Sequence, residues 1–205
     1  SDFLKTEIPY IIGDKLADNE KERYFSPSRT NFRESLLKHC IRAVDYSMKF
    51  GKNGLPLIGS GDWNDGFGNI GTAESGESVW LGMFMIIVLE MTAEICEEFG
   101  MRDKAEEYNV LACSLRETVA EKAWNKDRFE RAITSEGCFL AHEKNYIDIL
   151  PQAFSAFAGV GTNDQINTAL STALKYLFDE ENGVIRLLSP PFEQEERDKV
   201  GYIAS

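Results

Sequence analysis

The sequence predicts an all-α fold of helical hairpins with long loops and one small β-hairpin. Three observations carry this. Apolar residues recur at spacings of three and four over several long stretches. The connections alternate between very short turns and long decorated loops, and residues 127 to 141 lose the helical period. Helix, loop, helix repeated in this way, with the long loops on one side, suits a helical toroid whose loops make a cleft.

Taken in order, residues 1 to 30 are mixed and polar, with Pro9, Pro27 and a charged stretch at 18–23, and read as irregular approach structure. From about Thr30 the residues Phe32, Leu36, Leu37, Cys40, Ile41, Val44 and Met48 fall on a helical stripe, with Thr30 or Asn31 as cap and Gly51 as stop. A second helix is expected from about Gly76 to Phe99, with Trp80, Phe84, Ile87, Val88, Met91 and Ile95 on its inner face and Glu90, Glu94 and Glu97 outside. A third runs from about Arg102 to Trp124, with Ala105, Tyr108, Ala112, Leu115 and Val119 inward. The short turn at Gly100 makes the two antiparallel.

The runs 128–133 and 138–140 around Gly137 suggest the small hairpin. Two more helices follow, near Asp148 to Ala158, with Pro151 tolerated in the opening turn, and near Asn163 to Phe178. Asn182-Gly183 makes a turn, and the stretch from Val184 through Pro190 and Pro191 is extended, because a residue before proline is pushed out of the helical region.

At 205 residues, 43% hydrophobic and 27% charged, the chain fits one domain, residues 1–205, with a real core. Lys and Arg number 22 against 34 Asp and Glu, and a net charge of -12 argues against nucleic acid, whose binding rests on clustered cations. A small anion held by local cations stays open. Cys40, Cys96, Cys113 and Cys138 include no C-x-x-C pair and read as buried reduced thiols. No apolar run approaches the roughly 18 residues of a membrane span, so no direct membrane insertion is expected. The opening Ser-Asp-Phe-Leu-Lys has neither a signal-peptide pattern nor an initiator Met, and the chain reads as a fragment.

Chemistry concentrates in the stretch from Gly59 to Leu81. Gly59, Gly61, Gly66 and Gly68 let a turn fold tightly while carrying Asp62, Trp63, Asn64 and Asp65, and that turn runs into the second helix. Acid, amide and flat aromatic face together suit a carbohydrate. Asp62 and Asp65 could equally be turn formers that bond their own backbone. A calcium loop counted from Asp62 would need Glu at its twelfth position, where Ala73 stands. Trp63 is better placed to stack on a sugar ring than to fill a core. Glu77 reads as a first-turn acid, Trp80 as core, and Glu90, Glu94, Glu97 and Glu98 as a solvated face. His39 and His142 stand apart, with no triad or metal arrangement around them.

Gly-Leu-Pro-Leu-Ile-Gly-Ser-Gly-Asp-Trp-Asn-Asp-Gly (54–66) followed by Gly-Glu-Ser-Val-Trp-Leu-Gly (76–82) closely resembles the central signature of glycoside hydrolase family 94, the inverting glycoside phosphorylases. Glu7-Ile-Pro-Tyr10, Leu37-Lys-His-Cys40, Ile147-Asp-Ile-Leu-Pro-Gln152, Leu188-Ser-Pro-Pro-Phe192 and Gly201-Tyr-Ile203 look like the branch of cyclic β-1,2-glucan synthase C-terminal domains and β-1,2-oligoglucan phosphorylases. The resemblance implies part of an (α/α) barrel of six hairpins. It implies Asp65 as general acid, with Trp63, Asp62 and Asn64 as the substrate-binding set, Trp63 packing on the donor sugar and Asp62 and Asn64 holding the turn.

An inverting phosphorolysis needs one proton donor, because phosphate is the nucleophile. No metal or cofactor is implied beyond inorganic phosphate as co-substrate, and the pKa of Asp65 is expected to be raised by desolvation or by Asp62.

The family's upstream arginines, its downstream Arg-Glu-Asn-Gly-Gly-Gln segment and its phosphate-holding His are absent from this sequence. The phosphate-binding residues are therefore expected outside it, and the isolated chain is expected to be inactive. The implied function is cleavage of β-linked glucans, β-1,2 foremost, with phosphate to α-glucose 1-phosphate. The setting is cytoplasmic, including as the soluble part of a larger membrane-associated synthase, with self-association through exposed barrel faces. The alternatives are a non-catalytic carbohydrate-binding or assembly module, a cellobiose- or chitobiose-type phosphorylase, and a hydrolase using water.

Overall fold

The structure, a computed structural model, describes residues 2–17, 20, 23–71 and 75–204. Most of the charged stretch at 18–23, and Ala73 of the rejected calcium loop, lie outside the described residues. The chain forms two compact units, Ser1–Met48 and Lys49–Ser205.

The first unit corrects the expectation of irregular structure in part: the described residues within 13–27 are irregular, but the segments on either side of them are not. After a 3-10 turn at Asp2–Lys5, strands β1 (Glu7–Ile12) and β2 (Ser28–Ser35) pair antiparallel from Glu7↔Ser35 to Ile12↔Ser28, with an irregularity between Pro9 and Ile11. Helix α1 spans Leu36–Ser47, so it starts after Thr30 and Asn31, and Ser35 is its cap, accepting from Lys38 N. Phe32 belongs to the strand, where its ring stacks on Tyr10 at 5.5 Å. Aromatic and β-branched side chains favour the pleated pairing, and that wins over a helical spacing that Phe32 satisfied by chance. Tyr10 also stacks on His39 at 3.8 Å and donates its hydroxyl to Glu34 at 2.8 Å. Arg42 reaches the same carboxylate, and these bonds hold the Glu34 pKa down at about 2.

In the second unit, β3 (Glu77–Ser78) leads into α2 (Val79–Glu98), which folds back on α3 (Arg102–Ala123) as the expected hairpin. Gly100 makes the tight turn at φ +75°. The inward stripe of α3 is the expected one, but that of α2 is not. Val79, Gly82, Met83, Ile86, Leu89, Ala93 and Cys96 are buried, while Phe84 is 41% and Met91 59% exposed. The helix is apolar nearly all round, so spacing alone could not choose its face. Gly82 does: a Cβ there would stand 3.1 Å from Val119, so this side meets α3 closely. By length and composition α2 could cross a membrane, but 56% of its apolar window is buried inside the unit, the situation of a core helix.

Two short strands follow, β4 (Trp124–Asn125) and β5 (Arg128–Phe129), paired with each other around Lys126 at φ +61°. Then β6 (Ala132–Ile133) pairs with β3. The small hairpin expected over 127–141 is present in part around Gly137, where Ile133 bridges to Phe139, Leu140 N donates to the Ala132 carbonyl at 2.9 Å and Thr134 N to the Cys138 carbonyl at 2.8 Å, but its first run also serves β4 and β3. Next come β7 (Ile147–Asp148), α4 (Ile149–Ala158) and α5 (Asn163–Leu177). Asp148 caps α4, and Thr162 with Gln165 forms a capping box on α5. Helix α4 packs on both α2 and α5.

The tail holds β8 (Phe178–Asp179) and β9 (Val184–Ile185) around Asn182-Gly183, then β10 (Leu188–Ser189) paired with β7, and a short helix, α6 (Arg197–Val200), that spacing did not reveal. The architecture is thus mainly helical, with more strand pairing than expected, all of it in two-stranded pieces among the described residues. Of the thiols only Cys96 is buried. Cys40, Cys113 and Cys138 are exposed, against the expectation, because their helix or loop positions face outward.

Candidate functional site

The turn is anchored from beneath by an apolar cluster that includes Ile58, Phe67, Ile70, Tyr146, Phe192 and Val200. Phe67 is fully buried and makes an edge contact with Phe192. Residues Asp65–Phe67 form a single 3-10 turn, capped by Asn64, whose side-chain oxygen accepts from Gly66 N at 2.9 Å. Two glycines bring a distant segment against it. A Cβ on Gly66 would stand 2.7 Å from the Cβ of Ile203, and Gly201, at φ +113°, lies against the Gly66 carbonyl, which accepts from Ile203 N at 3.1 Å.

The two carboxylates of the turn have opposite surroundings. The side chain of Asp62 is wholly buried. It accepts two bonds from Arg131, at 2.6 and 2.7 Å, one from the Ser78 hydroxyl at 2.6 Å and one from Asn64 N at 3.0 Å. Burial alone would raise its pKa, but the Arg131 bonds and charge, with Ser78 and Asn64, outweigh burial and lower it. Asp65 is exposed and, among the described residues, has no hydrogen-bond or ion-pair partner. Beside it Trp63 turns outward, 61% exposed.

Arg131 links the turn to the rest of the unit. Its guanidinium lies over the rings of Phe67 and Trp80 at 5.1 and 5.8 Å. Its Nε is 3.3 Å from Asp148 Oδ2, close enough to pair by charge but not aligned to donate a hydrogen bond. Burial works against its charge, yet Asp62 and Asp148 keep its pKa above the ordinary value. Asp148 is almost completely buried, and burial pushes its pKa up despite Arg131, the Leu150 amide at 2.8 Å and the Tyr146 hydroxyl at 3.2 Å. Burial, and then the Asp148 charge, drives the Tyr146 pKa well above normal. The chain Asp62, Arg131, Asp148, Tyr146 thus runs from the turn through β6's approach to the start of α4.

Glu77 is also not what its position predicted. It lies before α2 rather than in its first turn, and its buried carboxylate accepts from the Asn53 and Leu55 amides at 3.0 and 3.2 Å and from the Asn53 side chain. Gly51 is needed here because a Cβ would overlap that carboxylate. Ser78, one residue on, caps α2 and donates to Asp62, so the helix start and the turn share one hydroxyl. Glu90, expected in solvent, is half-buried and paired with Arg116, which also donates to the Ala158 carbonyl at 2.9 Å.

The structure therefore gathers Asp62, Asn64 and Ser78 beneath the turn and leaves Trp63 and Asp65 on its outside. Sequence reasoning missed Arg131, Asp148 and Tyr146. Phe129, Arg131 and Ile133 alternate on a stretch whose other residues are also buried, and an arginine in such a run must find a carboxylate. A cavity of about 340 Å³ opens at the exit of the turn, with Asn69, Thr134, His142, Lys144 and Lys199 among its walls, but neither Trp63 nor Asp65 lines it. Among the described residues no group of His, Cys, Asp and Glu could hold a metal ion.

Comparison with known proteins assigns this turn a lineage. The chain is 30% identical over 206 residues to the cyclic beta-(1,2)-glucan synthase NdvB of Rhizobium meliloti (strain 1021), covering 98% of this chain and 7% of that protein. Two proteins of Paenibacillus borealis are also similar. The 3-O-beta-D-glucopyranosyl-beta-D-glucuronide phosphorylase is 28% identical over 77% of this chain and 21% of its own length, and the solabiose phosphorylase 30% over 94% and 23%. The chain thus spans less than a quarter of each of these relatives. The sequence profile of the glycosyl hydrolase 94 superfamily, catalytic domain, matches residues 10–205. With that match running through the turn, its buried arginine and the helices that carry them, this chain belongs to the glycosyl hydrolase 94 superfamily.

Proposed function

We propose that the chain contributes the acid-bearing turn of an inverting phosphorylase-type domain acting on β-linked glucans, β-1,2 foremost. Asp65 gives its proton to the glycosidic oxygen as the C1–O bond breaks. An oxygen of inorganic phosphate bonds C1 from the opposite face, so a β-linked glucosyl unit leaves as α-glucose 1-phosphate and the acceptor leaves as an alcohol. The observation that carries this reading is the contrast between the two carboxylates. Asp62 is buried and fully engaged, and so remains an anion that holds the turn. Asp65 is exposed, without a partner among the described residues and beside an outward indole, and so is free to meet a sugar. Asn64 supports Asp65 by capping its 3-10 turn, and Trp63 offers the stacking face.

In this reading the α2/α3 and α4/α5 hairpins are two of the six of an (α/α) toroid, and the exposed Phe84, Met91 and Phe157 are faces that further helices or a second copy cover. Phosphate is held by residues beyond these 205, and the isolated chain is inactive. The setting is cytoplasmic. The similarity to two phosphorylases and a glucan synthase supports the reaction class, and the higher coverage by the synthase supports the β-1,2 linkage.

The test is phosphate-dependent release of glucose 1-phosphate from β-1,2-glucan oligomers by the full-length protein. Asp65→Asn should lower turnover by at least about 100-fold while sugar binding persists. Turnover unchanged in Asp65→Asn removes it as the acid, and release of free glucose without phosphate makes the enzyme a hydrolase.

A further inference from the structure

We infer that Arg131 is the positioning residue of this site: buried beneath the turn, it clamps Asp62, and through Asp62 it sets where Asp65 stands, without itself meeting the sugar. The inference rests on the reading of Asp65 as the acid. The guanidinium makes paired bonds to both oxygens of Asp62, and both side chains are fully buried. Asp62 in turn accepts from Asn64 N, and the Asn64 side chain accepts from Gly66 N, so Asp65 sits between two amides, the first held by Asp62 and the second by the residue that Asp62 holds. Asp148, the ring of Trp80 and the ring of Phe67 within the turn itself hold the guanidinium plane.

A buried ion pair of this kind is weak evidence for stability, since an apolar pair of the same shape often serves as well. Its value lies in geometry. A planar fork bound at both prongs fixes direction as well as distance, which a single ammonium cannot do. A displacement of the acid of only about 1 Å can cost 100-fold in rate.

The experiment pairs two readouts in the full-length protein. Arg131→Lys keeps the charge and loses the fork. It should speed hydrogen exchange at the Asn64 and Gly66 amides by at least about tenfold while amides within α2 and α3 keep their rates. It should also lower kcat by about 100-fold with KM changed less than about threefold. Asp62→Asn, of the same shape, should move both readouts in the same direction and serves where Arg131→Lys does not fold. Leu89→Ala, a cavity in the α2 core remote from the turn, controls for general loosening and should leave kcat in place.

If exchange at the turn is unchanged, or kcat is unchanged while Asp65→Asn is inactive, the positioning role is overturned and the acid assignment stands. If Asp65→Asn turns over normally, the acid assignment itself fails, and the positioning role with it.

Discussion

Replacing Arg131 by methionine removes the cation that the structure places between the buried carboxylates Asp62 and Asp148. Asp62 loses two of its four hydrogen bonds, keeping those from Ser78 and Asn64, and Asp148 loses its charge partner. Breaking such a pair from one side costs about 3–5 kcal/mol, because the remaining charge stays buried without compensation. At roughly 2–4 °C per kcal/mol for a chain of this size, the Tm falls by about 6–20 °C.

The assay is urea and thermal unfolding followed by tryptophan fluorescence. Trp63, Trp80 and Trp124 are the only tryptophans and all lie in Lys49–Ser205, so the signal reports that unit. The dependence on pH supplies a second check. Asp62 has a lowered pKa in the folded chain, so its contribution is present above its unfolded pKa and is lost as pH falls through the folded one. In Arg131→Met burial is opposed only by the remaining hydrogen bonds, from Ser78 and Asn64 to Asp62 and from Leu150 and Tyr146 to Asp148, and the folded pKa values of both carboxylates rise relative to the parent. The variant is then relatively more stable in acid and loses stability as pH rises through those values. A loss under about 1 kcal/mol, with the parent's pH profile retained, would refute the reasoning, since it would mean that Asp62 is not confined as described.

Two other outcomes are expected. Gly201→Ala should destabilise by roughly 3 kcal/mol or more, since φ is +113° and a Cβ would overlap the Gly66 carbonyl and lie 2.9 Å from Gly68 N, whereas Gly183→Ala, at φ +65° with nothing within 4 Å, should cost only about 1 kcal/mol in the same thermal assay. In the first unit, stability from Glu34 should be present above pH 4.5 and lost as pH falls through about 2; an NMR titration of its carboxyl with a midpoint near 4.5 would contradict the Arg42 and Tyr10 bonds, and Glu34→Gln should flatten acid unfolding in that window.

The helical framework was legible because amphipathic spacing and caps act locally. The stripe of α3, the turn at Gly100 and the start of α4 near Asp148 needed no partner to be recognised. The strands were less so. The β1/β2 ladder forms between segments that say little alone, and Phe32 could serve either period until Tyr10 stacked on it. The β6 residues read as half of a local hairpin, which they are, but on their other edge they pair with β3 more than 50 residues earlier. For the site, glycine spacing and the Asp-Trp-Asn-Asp cluster located the turn, but not the difference between its acids. That difference is set by Arg131 and Ser78, whose approach depends on tertiary structure that a sequence motif does not encode. Exposed apolar positions such as Phe84 and Met91 likewise escaped, because an all-round apolar helix carries no phase.

The contact of Gly201 and Ile203 with Gly66 has a consequence for the order in which the molecule is made. Asn69 is tied to the carbonyl of Arg197 across 128 residues of sequence, and the Gly66 carbonyl waits for the Ile203 amide. A chain leaving the ribosome can close the α2/α3 hairpin as soon as those helices emerge, since their contacts are local, but the turn bearing Asp65 acquires its last wall only when residue 203 is free. The helices are therefore early products of synthesis and the closed turn a late one. A nascent chain stalled before α6 would be a folded scaffold with the Asp65 turn still open.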